Sequence, residues 1–256
     1  MEELERAVHT IQVRFGAHAL APATAVPMVQ PWPTGCVDLD RISGIGGLPK
    51  GRLSVLLGTG TCGKTSLALS LLAAATHGFA HAVVIDPGCC FDAWSLTAHR
   101  GDPEPLTVVR VSTAAAAGEA AMSLAKAGAG FLLCLLPARL VAQSEPWLSP
   151  LCAAAERSGA VVVAVSESAP AALAHASSFS LALERSAWIY DRGQLAGIRT
   201  RLRCLKNKVG TPGGEAVLEF RYAFGATLFP ELPVRAVVTA AEPADEEPGW
   251  VASAAV

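Results

Sequence analysis

The chain has 256 residues, of which 52% are hydrophobic and only 16% charged, with a formal net charge of −2. This composition excludes a disordered polyelectrolyte and supplies enough apolar area for one large core, and an α/β sheet of this size often forms a single domain. The charge balance gives no global basic field, so any contact with nucleic acid has to be local.

The chain opens MEELERAV, acidic and amphipathic and so unlike a leader peptide, and no apolar stretch reaches the roughly 18 residues a membrane span requires. The expectation is a cytoplasmic protein with no membrane part. Leu4, Val8, Ile11 and Phe15 recur at helical spacing and predict an N-terminal helix, which the Pro-rich stretch Ala21 to Pro33 connects to the core. From there apolar runs of strand length alternate with Ala-rich helical segments: Leu53 to Leu57, Ala82 to Ile85, Thr107 to Val111, Phe131 to Leu136 and Ala160 to Val165. That alternation predicts an α/β fold with a mostly parallel twisted sheet flanked by helices.

After Phe179 the pattern changes to strands joined by turns, at Phe179 to Leu183, Trp188 to Tyr190, Gly197 to Leu205 and Ala216 to Tyr222, which should add antiparallel strands on the C-terminal side. The predicted division is therefore an N-terminal helix and connector over 1–33, a core over 34–232, and a flexible acidic tail over 233–256. Glu242, Asp245, Glu246 and Glu247 give the tail its charge, and the apolar end around Trp250 is a candidate docking point.

Gly58, Thr59, Gly60, Thr61, Cys62, Gly63, Lys64 and Thr65 form a complete phosphate-loop motif, G-x-x-x-x-G-K-[ST]. The strand-like run Leu53 to Leu57 precedes it, and a helix from Lys64 to Thr76, ending at Gly78, follows. Each residue type has a mechanical reason. Glycines let backbone N–H groups close around phosphate oxygens, the helix N-terminus adds positive potential, Lys64 offers a point charge, Thr65 can hold magnesium when a nucleotide is bound, and Ser66 completes the nucleotide-binding set. The alternative is a Gly-rich strand-to-helix turn that binds nothing. The seven cysteines contain no C-x-x-C pair and most sit in apolar stretches, which predicts small buried hydrophobes in a reducing compartment and no structural metal.

Arg199, Arg201 and Arg203 alternate along one predicted strand, so all three should share one face while Leu202 and Cys204 point inward. This basic stripe suits a nucleic-acid backbone or an acidic partner, or else protects a sheet edge. No aromatic residue interleaves it, which weakens a single-strand reading.

The run PTGCVDLDRISGIGGLPKGRLSVLLGTGTCGKTSLAL from Pro33 resembles the opening of the ATPase core of RecA-type recombinases. Ala116 to Leu136 and Arg199 to Gly225 resemble that family's later helix and strands, so the resemblance spans nearly everything but the tail. It implies ATP and magnesium at the phosphate loop, with Asp92 and Tyr222 as further nucleotide contacts, although Ser95 stands where a second aromatic would help. Lys206 and Lys208, around Asn207, match lysines that reach the nucleotide of a neighbouring subunit, unless they are simply solvated at a strand end.

The departures are as informative. Where active members carry D-A-E, with a Glu that orients water, this chain reads Asp86, Pro87, Gly88. Where an Asp supports magnesium it has Leu136 and Pro137, and where an Asn-Gln pair senses the terminal phosphate it has Ser166 and Glu167. The segments Arg139 to Ser149 and Ser168 to Ser178, which correspond to DNA-binding loops, are short and poor in basic residues. A RecA-like chain altered in this way resembles the ImuA-type accessory proteins of mutagenic repair. That resemblance implies a role in translesion synthesis through contacts with RecA, ImuB and an error-prone DnaE-type polymerase, weak or indirect DNA contact, RecA-like oligomer interfaces, and slow or absent ATP hydrolysis. Two alternatives remain open: an active recombinase-like ATPase that recruits Asp86 or Glu167, and a cell-division inhibitor of the SulA type.

Overall fold

In the computed structural model the residues described are 2–15, 28–211, 213–221 and 237–239. The chain divides into two compact units, Met1–Gln30 and Pro31–Val256. In the first, α1 (Glu2–Phe15) is the predicted N-terminal helix, with Leu4, Ile11 and Val13 exposed.

The second unit begins with a small two-stranded sheet, β1 (Pro31–Trp32) against β2 (Leu48–Pro49), which brackets helix α2 (Val37–Ser43). Asp40 fastens this corner by accepting from the amide of Thr34 at 3.0 Å and from its hydroxyl at 2.6 Å.

The main sheet has nine strands in the order β10-β9-β8-β3-β7-β6-β4-β5-β11. Its parallel part comprises β3 (Leu53–Leu57), β4 (Ala82–Ile85), β5 (Leu106–Arg110), β6 (Phe131–Leu135) and β7 (Val161–Ser166), and β8 (Phe179–Asp191) also runs parallel to β3. β9 (Gln194–Asn207) and β10 (Glu215–Arg221) then turn back antiparallel, giving the mixed sheet predicted from sequence.

The runs Phe179 to Leu183 and Trp188 to Tyr190 belong to one long strand. Irregular register near Arg185 and Ala187 breaks the alternation that would have joined them in sequence. β11 (Val237–Thr239) pairs parallel to β5, within the segment expected to be a tail; the rest of 233–256, including Trp250, lies outside the described residues.

Helices cover both faces. On one face α3 (Lys64–Gly78) sets Leu67, Leu71 and Leu72 against Leu56, Val84, Leu133 and Val163. On the other, α5 (Ala114–Lys126) and α7 (Glu145–Ser158) pack Ala117, Ala121, Leu148 and Leu151 against Val55, Val83, Leu132 and Val162. Adjacent residues such as Val83 and Val84 serve opposite core layers. Both are buried, which is why the central strands read as continuous apolar runs. Short helices α4 (Ala93–Ala98), α6 (Ala138–Val141) and α8 (Ala171–Ala176) complete the loops at the strand ends. Among the described residues no helix is long and apolar enough to cross a membrane.

Candidate functional site

All parallel strands end on one rim, so the residues after β3, β4, β6 and β7 converge there, the place where open α/β sheets form their ligand crevice. The predicted phosphate loop occupies the end of β3. Gly60 has φ +56° and Gly63 φ +88°, left-handed conformations that glycine adopts at least cost, and α3 begins directly at Lys64. Packing also restricts two positions. A Cβ on Gly58 would stand 2.4 Å from Cys62 Sγ, and one on Gly63 would stand 2.7 Å from Thr200 Oγ1 and 2.8 Å from Phe220 Cε2. Cys62, buried inside the loop, therefore faces the protein, while Thr59, Gly60, Thr61 and Thr65 are exposed.

Two contacts that sequence reasoning missed hold the loop from the antiparallel side. Thr200 on β9 donates its hydroxyl to Cys62 O at 3.0 Å, and Arg185 on β8 donates to Thr61 O at 3.1 Å while stacking 4.1 Å over Trp188. Thr200 left a faint signal, a polar residue on the inward register of the strand between Arg199 and Arg201. Arg185 left none, because the irregular register around it hides which way it points.

The charged centre of the rim is Lys64. Its ammonium donates back to Gly60 O at 3.2 Å and stands 3.8 Å from Glu167 Oε1, the residue after β7. Among the described residues Glu167 is the sole carboxylate lining a cavity of about 410 Å³, with Lys64, Thr65, Cys90, Leu136, Pro137 and Ser166 among its other walls.

Asp86, at the end of β4, is wholly buried. One of its carboxylate oxygens accepts from Cys90 N and the other from Phe91 N, each at 2.9 Å, and Arg110 Nε lies 3.9 Å away. With its oxygens turned into the protein, Asp86 braces the turn after β4 and is not placed to activate a water. Gly88, two residues on, packs against Pro137 and Cys90.

Asp92 caps α4, accepting from Trp94 N at 3.0 Å, from Ser95 N at 3.0 Å and from Ser95 Oγ at 2.8 Å. Burial pushes its carboxyl up, but these hydrogen bonds outweigh that and hold it below the usual carboxylate range. It borders a smaller cavity of about 50 Å³ with Thr65, Leu69, Cys90 and Ser95. Tyr222 lies outside the described residues.

The remaining candidates lie away from this cavity. Lys206 donates to Ala174 O and, at 3.1 Å, to His175 O, and Lys208 donates to His175 O at 3.1 Å, so both cap the C-terminal end of α8 within their own chain. Burial and the neighbouring Lys208 charge together depress the Lys206 ammonium pKa. Asn207 between them ties Val209 and Gly210 to the strand end.

Arg199, Arg201 and Arg203 do share the exposed face of β9, with Thr200, Leu202 and Cys204 buried. The edge-strand alternative fails, since β9 lies between β8 and β10. The stripe is also partly neutralised at one end, where Arg199 bonds Glu219 at 2.7 Å; Arg203 and Arg201 stand in register with Glu215 and Glu184 on the neighbouring strands.

The loop's backbone, Lys64 and the α3 N-terminus fit a phosphate chain, because they combine exposed amide donors, a point charge and a helix dipole around positions that a Cβ would strain. Of the walls, Leu136 and Pro137 offer neither a magnesium carboxylate nor a base, and the carboxylate that lines the cavity, Glu167, stands 3.8 Å from Lys64.

A phosphate loop at the carboxyl end of β3, under a parallel sheet with an antiparallel extension, defines a P-loop α/β protein. Residues 2–144 match the RecA N-terminal domain. The chain is 30% identical over 264 aligned residues to Protein RecA of Aquifex pyrophilus, covering 88% of this chain and 75% of that one. It is 28% identical over 289 residues to Protein RecA of Thermus aquaticus, covering 97% and 84%, and 27% over 272 to that of Chlorobaculum tepidum. The chain belongs to the RecA family.

Proposed function

We propose that this chain is a RecA-like accessory protein of DNA-damage-induced mutagenesis, of the ImuA type, which acts in the cytoplasm through protein contacts and not through turnover. The observation that carries this reading is the asymmetry of the rim. Lys64 and Thr65 of a complete phosphate-loop motif line a cavity with Leu136 and Pro137, and the one carboxylate lining it among the described residues, Glu167, is already beside Lys64. Selection for hydrolysis would keep a base and a metal carboxylate there. A site used for binding needs only the loop.

In this reading Gly58 to Ser66 hold the phosphates of an adenine nucleotide, with Thr65 as the protein's magnesium ligand and Asp92 and Tyr222 near the base. The bound nucleotide supplies a charge that orders the loop. Partners are RecA, ImuB and an error-prone DnaE-type polymerase. The exposed apolar residues of α1 and the Lys206–Lys208 end of β9 are the docking surfaces, within a division into core 34–232 and tail 233–256. The partly neutralised arginine stripe supports an acidic protein surface over DNA as its partner.

The test pairs capture with turnover. Purified RecA, ImuB and polymerase are each passed over the immobilised chain while phosphate release is followed with and without single-stranded DNA. Capture of at least one partner with background phosphate release is expected. DNA-stimulated turnover would overturn the accessory reading in favour of a recombinase-like ATPase.

A further inference from the structure

Lys64 and Glu167 meet beside the phosphate loop, 3.8 Å apart. In a phosphate loop the lysine is the group that reaches the β- and γ-phosphates, while the loop amides serve the inner phosphates. Here its ammonium is shared between Gly60 O at 3.2 Å and Glu167 Oε1 at 3.8 Å. The lysine side chain is only 15% exposed, so it is held against the loop, whereas Glu167 lines the cavity and is 54% exposed.

A terminal phosphate drawn to Lys64 therefore meets a carboxylate of like charge at the same ammonium, in surroundings where charges at such a separation interact several times more strongly than in bulk water. Divalent cations ordinarily relieve this crowding. Leu135, Leu136 and Pro137 line the cavity with Thr65, Asp86 is turned inward onto Cys90 and Phe91, and the carboxylate of Asp92, which borders the smaller cavity with Thr65, is already engaged by Trp94 N, Ser95 N and Ser95 Oγ.

We infer that the site is selective for nucleoside diphosphates, with Glu167 standing in for the terminal phosphate at Lys64 and excluding the triphosphate. The inference rests on the proposal that the loop binds nucleotide at all, and it gives that binding a direction: the state the site recognises is the spent nucleotide. Glu167 acts as the specificity residue and Lys64 as the group it competes for. Replacing the carboxylate by an amide of the same shape removes the repulsion and frees Lys64, without altering a buried contact.

Titration calorimetry with ADP and with ATP, each with and without magnesium, tests this in the wild type, Glu167→Gln, Glu167→Ala and Lys64→Ala, with thermal melts confirming that each variant folds. The wild type is expected to bind ADP at least about tenfold more tightly than ATP, a difference of about 1.4 kcal/mol. In Glu167→Gln and Glu167→Ala the ratio should fall to about threefold or less because ATP binding improves, and Lys64→Ala should weaken ADP as well. Equal affinities in the wild type, or an ADP preference that survives both Glu167 changes, would overturn the selectivity while leaving nucleotide binding standing. No binding of either nucleotide in the wild type would overturn both readings.

Discussion

Thr200 and Cys62, 138 residues apart in the chain, are joined by a hydrogen bond of 3.0 Å from the threonine hydroxyl to the loop carbonyl. Thr200 is fully buried and Cys62 nearly so. The bond fixes the phosphate loop to the antiparallel part of the sheet, so the segment added after β7 sets the shape of a loop that follows β3. Thr200→Val keeps the side-chain volume and strips the donor, leaving a buried carbonyl without its partner. The expected loss is about 1–3 kcal/mol, read as a lower urea midpoint with unchanged slope. An unchanged midpoint would mean that the loop holds its form without β9.

Gly88→Glu tests how deep the loss of hydrolytic groups goes. The resemblance places the glycine where the family has its water-orienting Glu, yet a Cβ there would lie 3.0 Å from both Cys90 Sγ and Pro137 Cγ, so a long side chain has no prepared channel. Leu136 would still offer magnesium no carboxylate. Phosphate release by this variant is expected to stay within about threefold of background. A gain beyond about tenfold, equivalent to about 1.4 kcal/mol of barrier, would show that the site lacks only this one side chain.

The parallel sheet and the phosphate loop were legible because their signals are local. Leu53 to Leu57, apart from Ser54, and Ala82 to Ile85 are apolar on both faces, and Gly60 and Gly63 of the loop sit where φ is positive. The arginine stripe was legible from period-two alternation alone. The ion pair at Arg199 was not, because Glu219 meets it only through the register of β10 against β9. The roles of Lys206 and Lys208 were hidden for the same reason: the α8 carbonyls they cap lie more than 30 residues away. The Lys64–Glu167 contact joins residues more than 100 positions apart across adjacent strands β3 and β7, so sequence could flag Glu167 as an altered sensor but could not bring it to the lysine.

The cysteines should separate into two kinetic classes. Cys89 and Cys90 are exposed, whereas Cys62, Cys134 and Cys204 are buried, and burial pushes the Cys134 thiol up to about 12. Thiolate is the reactive form, so Cys134 should be inert in the folded chain. Titration with a disulfide reagent should give a fast phase that disappears in a Cys89→Ser/Cys90→Ser double variant and a slow phase that tracks unfolding. Fast labelling of Cys134 in native conditions would contradict the packing of β6.

The acid limb of stability should carry a signature of Asp92. Its folded pKa is depressed below the ordinary 3.8 by the hydrogen bonds from Ser95 and the amides of Trp94 and Ser95, which outweigh burial. A depressed carboxyl pKa favours the folded state wherever the unfolded chain is already ionised, so its contribution is complete above about pH 4 and is lost as pH falls from there through the folded pKa. Asp92→Ala removes the cap of α4 and should cost about 1 kcal/mol at neutral pH, with the gap to wild type constant down to about pH 4 and narrowing below it. Paired urea titrations between pH 7 and pH 3 measure that gap. A gap that stays constant to the lowest pH would mean that Asp92 supports α4 through packing and not through its charge.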